Sequence, residues 1–335
     1  MEQEEEVGTP QNLPTYNKDH HGNGVFVNSP LPPFYPPARF ESFKFWTDKG
    51  DVTESLPVRN PTNDFAKRDV IRVYWLAHAT CLIQFNEIFI ITDPMFSKYA
   101  SPIPGFIRRR TPPPCDITDL PPISVILYSH DHYDHLDYSS LCKLRERFPK
   151  VKIFAPIGVS NLIEGWGFKD ITAFDWRQYL VYKGIRFTCF PARHGTNRKG
   201  YDGNTKLWCS WMVNTDQVSV YFPGDTAVGP HFQEIKETME KPIDLALMPI
   251  GPIEPYAMMR TVHLDGKDAY EMSRILGSKQ HIAIHYGTFP LGMDPKRPEL
   301  DILREQWTSS EDLHILKVGG YLEWNGTEFV EPAEN

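Results

Sequence analysis

No Cys-x-x-Cys pair occurs in this chain. Its five cysteines, Cys81, Cys115, Cys142, Cys189 and Cys209, are odd in number and widely spaced. That spacing suggests neither a disulfide framework nor a thiolate zinc site, and a reducing interior compartment fits best. No run of about 18 apolar residues is present, so no membrane-spanning helix is expected. The opening MEQEEEVGTP lacks the basic and apolar regions of a signal peptide. An intracellular protein, soluble or held only at a membrane surface, is therefore expected. Basic charge is also short: 35 Lys and Arg stand against 43 Asp and Glu, a net charge of −8. That balance argues against a general nucleic-acid binder, which usually shows a basic domain.

With 335 residues, 41% hydrophobic and 13% aromatic, the chain can build a sizeable core. Residues 1–24 are charged and rich in Asn, Gly and Pro, and read as disordered. Residues 25–70 hold many prolines and aromatics without a helical or strand period. They read as an extended arm packed on the body. From residue 71, short β-branched and aromatic runs recur, among them IRVYWL, CLIQF, IFIIT, ISVILYS, LWCSWMV, VSVYF, IDLALMPI and HIAIH. These read as strands. Helical patterns lie between some of them. YSSLCKLRERF follows the cap candidate Asp137, GPHFQEIKETMEK reads similarly, and GKDAYEMSRIL follows the cap candidate Asp265. Clustered strands with interspersed helices predict an α/β fold of packed sheets with helices outside, spanning 71–335.

The stretch HDHYDH, residues 130–135, directly follows ISVILYS. Residues two apart on extended backbone point to the same side, so His130 and His132 can approach one metal together. Asp134 and His135 follow as the chain turns toward the Asp137 helix, and can reach a neighbouring point. Other strand ends offer further ligands: His194 after IRFTCFPAR, Asp225 after VSVYFPG, and His285 after HIAI. Asp225 can bridge two ions with its two oxygens. His281, four residues before His285 on the same strand face, lies roughly 13 Å from it and cannot share its metal.

HDHYDH matches the HxHxDH motif of the metallo-β-lactamase superfamily. WLAHAT, TDPMFS, SHDHYDHLDY, LWCSW, PGDT, MPIGPIEP and AIHYGTF resemble the N-acylphosphatidylethanolamine-hydrolysing phospholipase D family, with a fainter echo upstream in GVFVNSP. The chain departs from those relatives at Asp131, usually Asn, and at Ala77, usually Gly. The resemblance implies an αββα sandwich with two zinc ions at one edge. His130, His132 and His194 would hold the first, Asp134, His135 and His285 the second, and Asp225 both. It implies attack of a metal-bridging hydroxide on a lipid phosphodiester, giving an N-acylethanolamine and a phosphatidate. A peripheral endomembrane location and a homodimer are implied too. The set lacks sulfur, so iron or manganese would also suit it.

Asp134, Asp225 and His263 are the catalytic candidates. A histidine at the place of His263 contacts the substrate head group in the resembling family. Tyr133 is the second substrate-binding candidate, since its neighbours bind metal and its ring should overlook the cavity. His78 and Asp93 read as buttresses of the metal-binding loops. Trp208 and Trp211 read as core. Phe34, Tyr35, Phe40, Phe43, Phe45 and Trp46 in the arm, with Arg108, Arg109 and Arg110, are the candidates for membrane contact. The competing expectation is a lactonase or another metal-dependent hydrolase acting on a small substrate. A nuclease would need a larger basic surface, and a non-catalytic metal-binding protein would not need so full a ligand set.

Overall fold

Alternation within single strands decides the layering. Val73, Trp75, Ile83, Ile90, Val125, Leu127 and Phe154 join one hydrophobic core, while Tyr74, Leu82, Phe89, Ile91, Ile126 and Ile153 from the same strands join a second. Both sets are buried, so both strand faces are covered. Strands buried on both faces read as continuous apolar runs, as these do.

The computed structural model describes residues 9–13, 18–28, 55–103, 105–293, 298–307 and 312–332. The strands are β1 (Gln11–Asn12), β2 (Ile71–Trp75), β3 (Cys81–Phe85), β4 (Ile88–Thr92), β5 (Ile123–Leu127), β6 (Lys152–Pro156), β7 (Ile171–Phe174), β8 (Gln178–Tyr182), β9 (Ile185–Phe190), β10 (Ser210–Asn214), β11 (Ser219–Phe222), β12 (Leu245–Pro249), β13 (Gln280–Ile284), β14 (Leu313–His314), β15 (Tyr321–Trp324) and β16 (Phe329–Val330). They form two mixed sheets, ordered β16-β15-β2-β3-β4-β5-β6-β7 and β1-β8-β9-β10-β11-β12-β13-β14. The helices are α1 (Tyr138–Arg147), α2 (Val159–Gly165), α3 (His231–Thr238), α4 (Tyr256–Met259), α5 (Gly266–Leu276) and α6 (Pro298–Gln306). Leu141 and Leu144 of α1, with Val159 and Ile163 of α2, cover the first sheet. Phe232 and Ile235 of α3, with Ala269 and Met272 of α5, pack on the second. The result is the expected αββα sandwich.

Both expected caps form. Asp137 accepts from the Ser139 and Ser140 amides at 3.3 and 3.1 Å, and Asp265 accepts from the Asp268 amide at 2.7 Å. Trp208 and Trp211 are buried as expected. The strand read from Leu207 begins instead at Ser210, because the Leu207 and Cys209 amides donate to the carbonyls of Ile157 and Ser129 in neighbouring segments. β7 and β8 escaped the sequence reading; their partly exposed faces mix polar and apolar residues.

The N-terminal expectation needs correction where residues are described. Residues 11 and 12, read as disordered, pair with β8. His20 and His21, read likewise, each place Nε2 2.7 Å from one oxygen of the buried Asp175 carboxylate. A buried carboxylate must be satisfied, and these imidazoles satisfy it. Of the arm, residues 29–54 lie outside the described residues, and with them Phe34, Tyr35, Phe40, Phe43, Phe45 and Trp46. The arginine run does not act as a unit. Arg108 is exposed, but Arg109 turns inward. Its guanidinium donates to the carbonyls of Met95, Ser97 and Thr111 and lies 4.6 Å from the Phe289 ring centroid. Burial pushes it down to about 10. Among the described residues no helix is long and apolar enough to cross a membrane.

Candidate metal centre

The C-terminal ends of β2, β4, β5, β9, β11 and β13 converge on one edge of the sandwich. They deliver His78, Asp93, His130 to His135, His194, Asp225 and His285. In α/β sheets the ends of parallel strands are the usual ligand site, because chains leaving them can turn inward. The turns here are tight. Asp93, His78 and His285 have φ of 34°, 53° and 62°, and Ala77 has φ of 106°. Such values disfavour a Cβ, and in the resembling family the place of Ala77 is usually a glycine.

Hydrogen bonds orient the imidazoles. His135 Nδ1 lies 2.8 Å from Asp93 Oδ2, His194 Nδ1 2.9 Å from the Val262 carbonyl, and His285 Nδ1 2.8 Å from the Gly251 carbonyl. Ser129 Oγ donates to Asp93 Oδ2 and so can accept from His130 Nδ1, 2.9 Å away. With each Nδ1–H engaged, the Nε2 lone pair is left to face inward. His132 presents Nδ1 instead. It lies 2.9 Å from His130 Nε2 and 3.2 Å from His194 Nε2. On the other side, His135 Nε2 and His285 Nε2 are 3.2 Å apart. Nitrogens about 2.0–2.1 Å from a tetrahedral zinc stand about 3.3 Å from one another, so these spacings fit a cation between them.

Asp225 lies between the two groups. Its Oδ2 is 3.2 Å from His135 Nε2, 3.7 Å from His194 Nε2 and 3.8 Å from His130 Nε2, and its Oδ1 is 2.9 Å from His285 Nε2. Oδ1 is fully buried yet makes no well-formed hydrogen bond, despite that short distance. Proximity without hydrogen-bond alignment is what a carboxylate kept for a cation would show. Burial alone would raise the Asp225 carboxyl; the facing His135 and His285 imidazoles reverse this and hold it well below the carboxylate range. Burial lowers His130 and His194 well below the usual imidazole value, with neighbouring histidines adding to it at His130.

Two residue sets therefore have their donor atoms within 4.8 Å of one another: His130, His132, His194 and Asp225, and His78, Asp134, His135 and His285. The second contains one more imidazole than expected. His78 Nε2 lies 2.8 Å from Asp134 Oδ2, and its ring centroid is 4.0 Å from that of His285. It holds Asp134 and stands at the rim of the ligand set. Asp93 buttresses His135 and Ser129, as the sequence reading anticipated.

His263 follows α4 and enters the same space. Its Nδ1 is 3.8 Å from Asp225 Oδ2, fully buried and without a hydrogen-bond partner. Burial pulls it down to about 4, against the opposing pull of Asp225. Tyr133 packs on a neighbouring arginine. Its half-buried ring stacks on Arg198, with Cζ 3.9 Å from the centroid, and Arg198 donates to the Asp131 and Leu136 carbonyls. The observed contact of Tyr133 thus stiffens the HDHYDH turn. His281 stays outside, bonded to Ser278 and the Asp312 carbonyl. The orienting carbonyls of Val262 and Gly251 had no sequence signal, since any residue carries one.

Residues 89–286 match the β-lactamase superfamily domain model. The chain is 32% identical over 289 residues to N-acyl-phosphatidylethanolamine-hydrolyzing phospholipase D 1 of Caenorhabditis elegans, covering 80% of this chain and 78% of the worm protein. The chain belongs to the metallo-β-lactamase superfamily, in the family of these phospholipases D. A Saccharomyces cerevisiae protein, N-acyl-phosphatidylethanolamine-hydrolyzing phospholipase D, mitochondrial, is 29% identical over 267 residues, which is 77% of this chain and 56% of the yeast protein. A possible metal-dependent hydrolase from Veillonella parvula has the same fold, with a TM-score of 0.61 at 16% identity over 75% of this chain and 98% of its own.

Proposed function

We propose that this hydrolase cleaves N-acylphosphatidylethanolamine to an N-acylethanolamine and a phosphatidate at a centre holding two zinc ions. The observation that carries the reading is Asp225, one carboxylate placed within reach of two histidine clusters. The names of the relatives support the substrate class. His130, His132 and His194 would hold one ion, Asp134, His135 and His285 the other, and Asp225 both. When bound, the pair would supply acidity to a water and positive charge to the phosphoryl oxygens. The water oxygen bonds to phosphorus, the bond from phosphorus to the ethanolamine oxygen breaks, and that oxygen leaves with the electron pair and takes a proton. His263, with an unpartnered nitrogen beside Asp225, is the protein group placed to hydrogen-bond a phosphoryl oxygen or to move that proton. His263→Ala is expected to keep both metals and to lose about 100-fold or more in turnover. Metal loss in this variant would make His263 a ligand or a structural residue instead.

The deciding assay offers vesicles of N-acylated phosphatidylethanolamine, a lactone and single-stranded RNA to the metal-loaded protein. Release of N-acylethanolamine supports the reading. Lactone turnover without phosphodiester turnover sinks it.

Such a lipid is met at a membrane surface, and one exposed hairpin suits that contact. Ile103 is 63% exposed and Phe106 39% exposed, on the hairpin closed by the Tyr99–Arg108 bridge. The stretch 94–115 has no acid and, besides the inward-turned Arg109, three cations, in a chain of net charge −8. Apolar tips with flanking cations favour anionic bilayers. Ile103→Ser with Phe106→Ser should weaken vesicle binding at any salt concentration, and Arg108→Glu mainly at low salt. Parental binding by both folded variants would place the contact elsewhere.

A further inference from the structure

The upstream GVFVNSP echo has no part in the chemistry above, yet its asparagine reaches a candidate ligand. Asn28 Nδ2 donates to the His194 carbonyl at 2.8 Å, and its Oδ1 lies 3.1 Å from Trp208 Nε1, whose N–H it shares with the Ala192 carbonyl at 2.9 Å. One carboxamide thereby ties together two points of the 191–209 segment, the ligand residue and the buried tryptophan where the segment returns to β10. Both halves of the amide are used, a donor toward a carbonyl and an acceptor toward an indole N–H, a pairing that an ionised Asp, which only accepts, does not reproduce.

Asn28 is itself held. The turn before it is closed by Gly22 N to Val25 O at 2.9 Å and Val27 N to His20 O at 2.9 Å, and Phe26 N donates to Asn204 O at 2.7 Å. At the far end His20 is fully buried, stacked on Trp176 with centroids 4.3 Å apart, while His20 and His21 grip Asp175. The strap 18–28 thus runs from Asp175, between β7 and β8, to the backbone of His194.

We propose that Asn28 is a positioning residue for His194, and that the strap 18–28 thereby tunes the ion held by His130, His132 and His194 and leaves its neighbour alone. Topology gives the reason for the selectivity. His130 and His132 share the β5 turn, which Asp93 and Ser129 brace from within the first sheet. His194 arrives alone on a separate segment, and its ring is anchored to Val262. The Asn28 bond sets the backbone from which that ring departs. The second cluster, Asp134, His135 and His285, has none of its orienting bonds in the strap.

This inference rests on the metal-centre reading, so the experiment measures metal binding rather than lipid turnover. The full chain is stripped with a chelator and titrated with Co²⁺, following the visible absorption of each site and the final stoichiometry. The parent should bind two ions. Asn28→Asp keeps the acceptor for Trp208 but sets an oxygen against the His194 carbonyl. It should loosen one ion by about 10–100-fold, the range for groups that orient a ligand, change that ion's cobalt spectrum, and leave the other ion at parental affinity. Asn28→Ala, which removes the bond without adding repulsion, should show a smaller shift of the same ion. Amide hydrogen exchange should quicken in 191–209 in both variants. Parental affinity for both ions in folded Asn28→Asp overturns the proposal. Equal weakening of both ions in Asn28→Ala also overturns it, since the strap would then be a general stabiliser; this variant decides should Asn28→Asp fail to fold. A parent that binds fewer than two ions defeats the metal-centre reading itself.

Discussion

Replacing Asp225 by Asn is expected to weaken both metals at once and to lower turnover by about 10³-fold or more. Asn has nearly the same shape, so packing of this 3% exposed side chain should survive. The negative charge is lost, and one of the two oxygens becomes an amide donor. The remaining oxygen cannot serve both the His130/His194 side, 3.7–3.8 Å from Oδ2, and His285, 2.9 Å from Oδ1. Elemental analysis with a turnover assay checks this; two ions per chain at parental activity would refute the sharing. The metal-stripped protein gives a second readout. Burial lowers the His285 imidazole, but Asp225 and Asp134 outweigh it and raise the group to about 9. A histidine raised in the folded state contributes stability that is fully present below about 6.5 and is lost as pH rises through about 9. Against its burial, Asp225 raises His135 as well, so the stability deficit of stripped Asp225→Asn should be largest near pH 6 and shrink as pH rises through the two imidazoles. A deficit that grows with pH would show that Asp225 does not support His285.

Gly224→Ala should be the most damaging single-methyl change near the site. Gly224 has φ of +59°, and a Cβ there would fall 2.5 Å from Ser129 Cβ and 3.2 Å from the Cys209 carbonyl oxygen. Ser129 cannot yield: its amide and hydroxyl are bonded to Asp93, and its carbonyl accepts the Cys209 amide at 2.9 Å. A left-handed non-glycine residue costs about 1–2 kcal/mol and overpacking about 1–3 more. A fall in Tm of about 3–7 °C is expected for a chain of this length, with loss of activity as Asp225 is displaced. Gly184→Ala is the control, because Gly184 has φ of +73° but nothing within 4 Å of the added carbon. Equal Tm losses at the two positions would show that backbone conformation, not the Ser129 contact, is what matters.

The legibility of this chain follows from where its signals lie. The six residues HDHYDH are covalent neighbours at the end of a strand buried on both faces, so the strand, its end and the donor cluster are all local. His194, Asp225 and His285 were legible for the same reason, each standing just past an apolar run. β7 and β8 were not, because half-exposed strands, one at the sheet edge and one covered on its outer side only by the two-residue β1, have no strong pattern. Arg109 was misplaced because a run of arginines has no local mark of direction. It turns inward to three carbonyls and the Phe289 face; the stacking of Tyr133 on Arg198, 65 positions away, had no local mark either.

The sequence by itself determined the fold class, the strand ends that carry ligands, and the residue types on offer there, because apolar periodicity and short spacing act within a few residues. Only the tertiary structure decided which imidazole nitrogen faces the centre, that His132 presents Nδ1 while its neighbours present Nε2, that His78 joins the second cluster, and that Asn28 reaches across 166 positions to the His194 carbonyl. The placements of His194, His285, His78 and Asn28 each depend on a hydrogen bond between distant segments. Such a bond contributes only about 1 kcal/mol and has no pattern along the chain; it acquires a direction only after the two sheets have packed and brought its partners together.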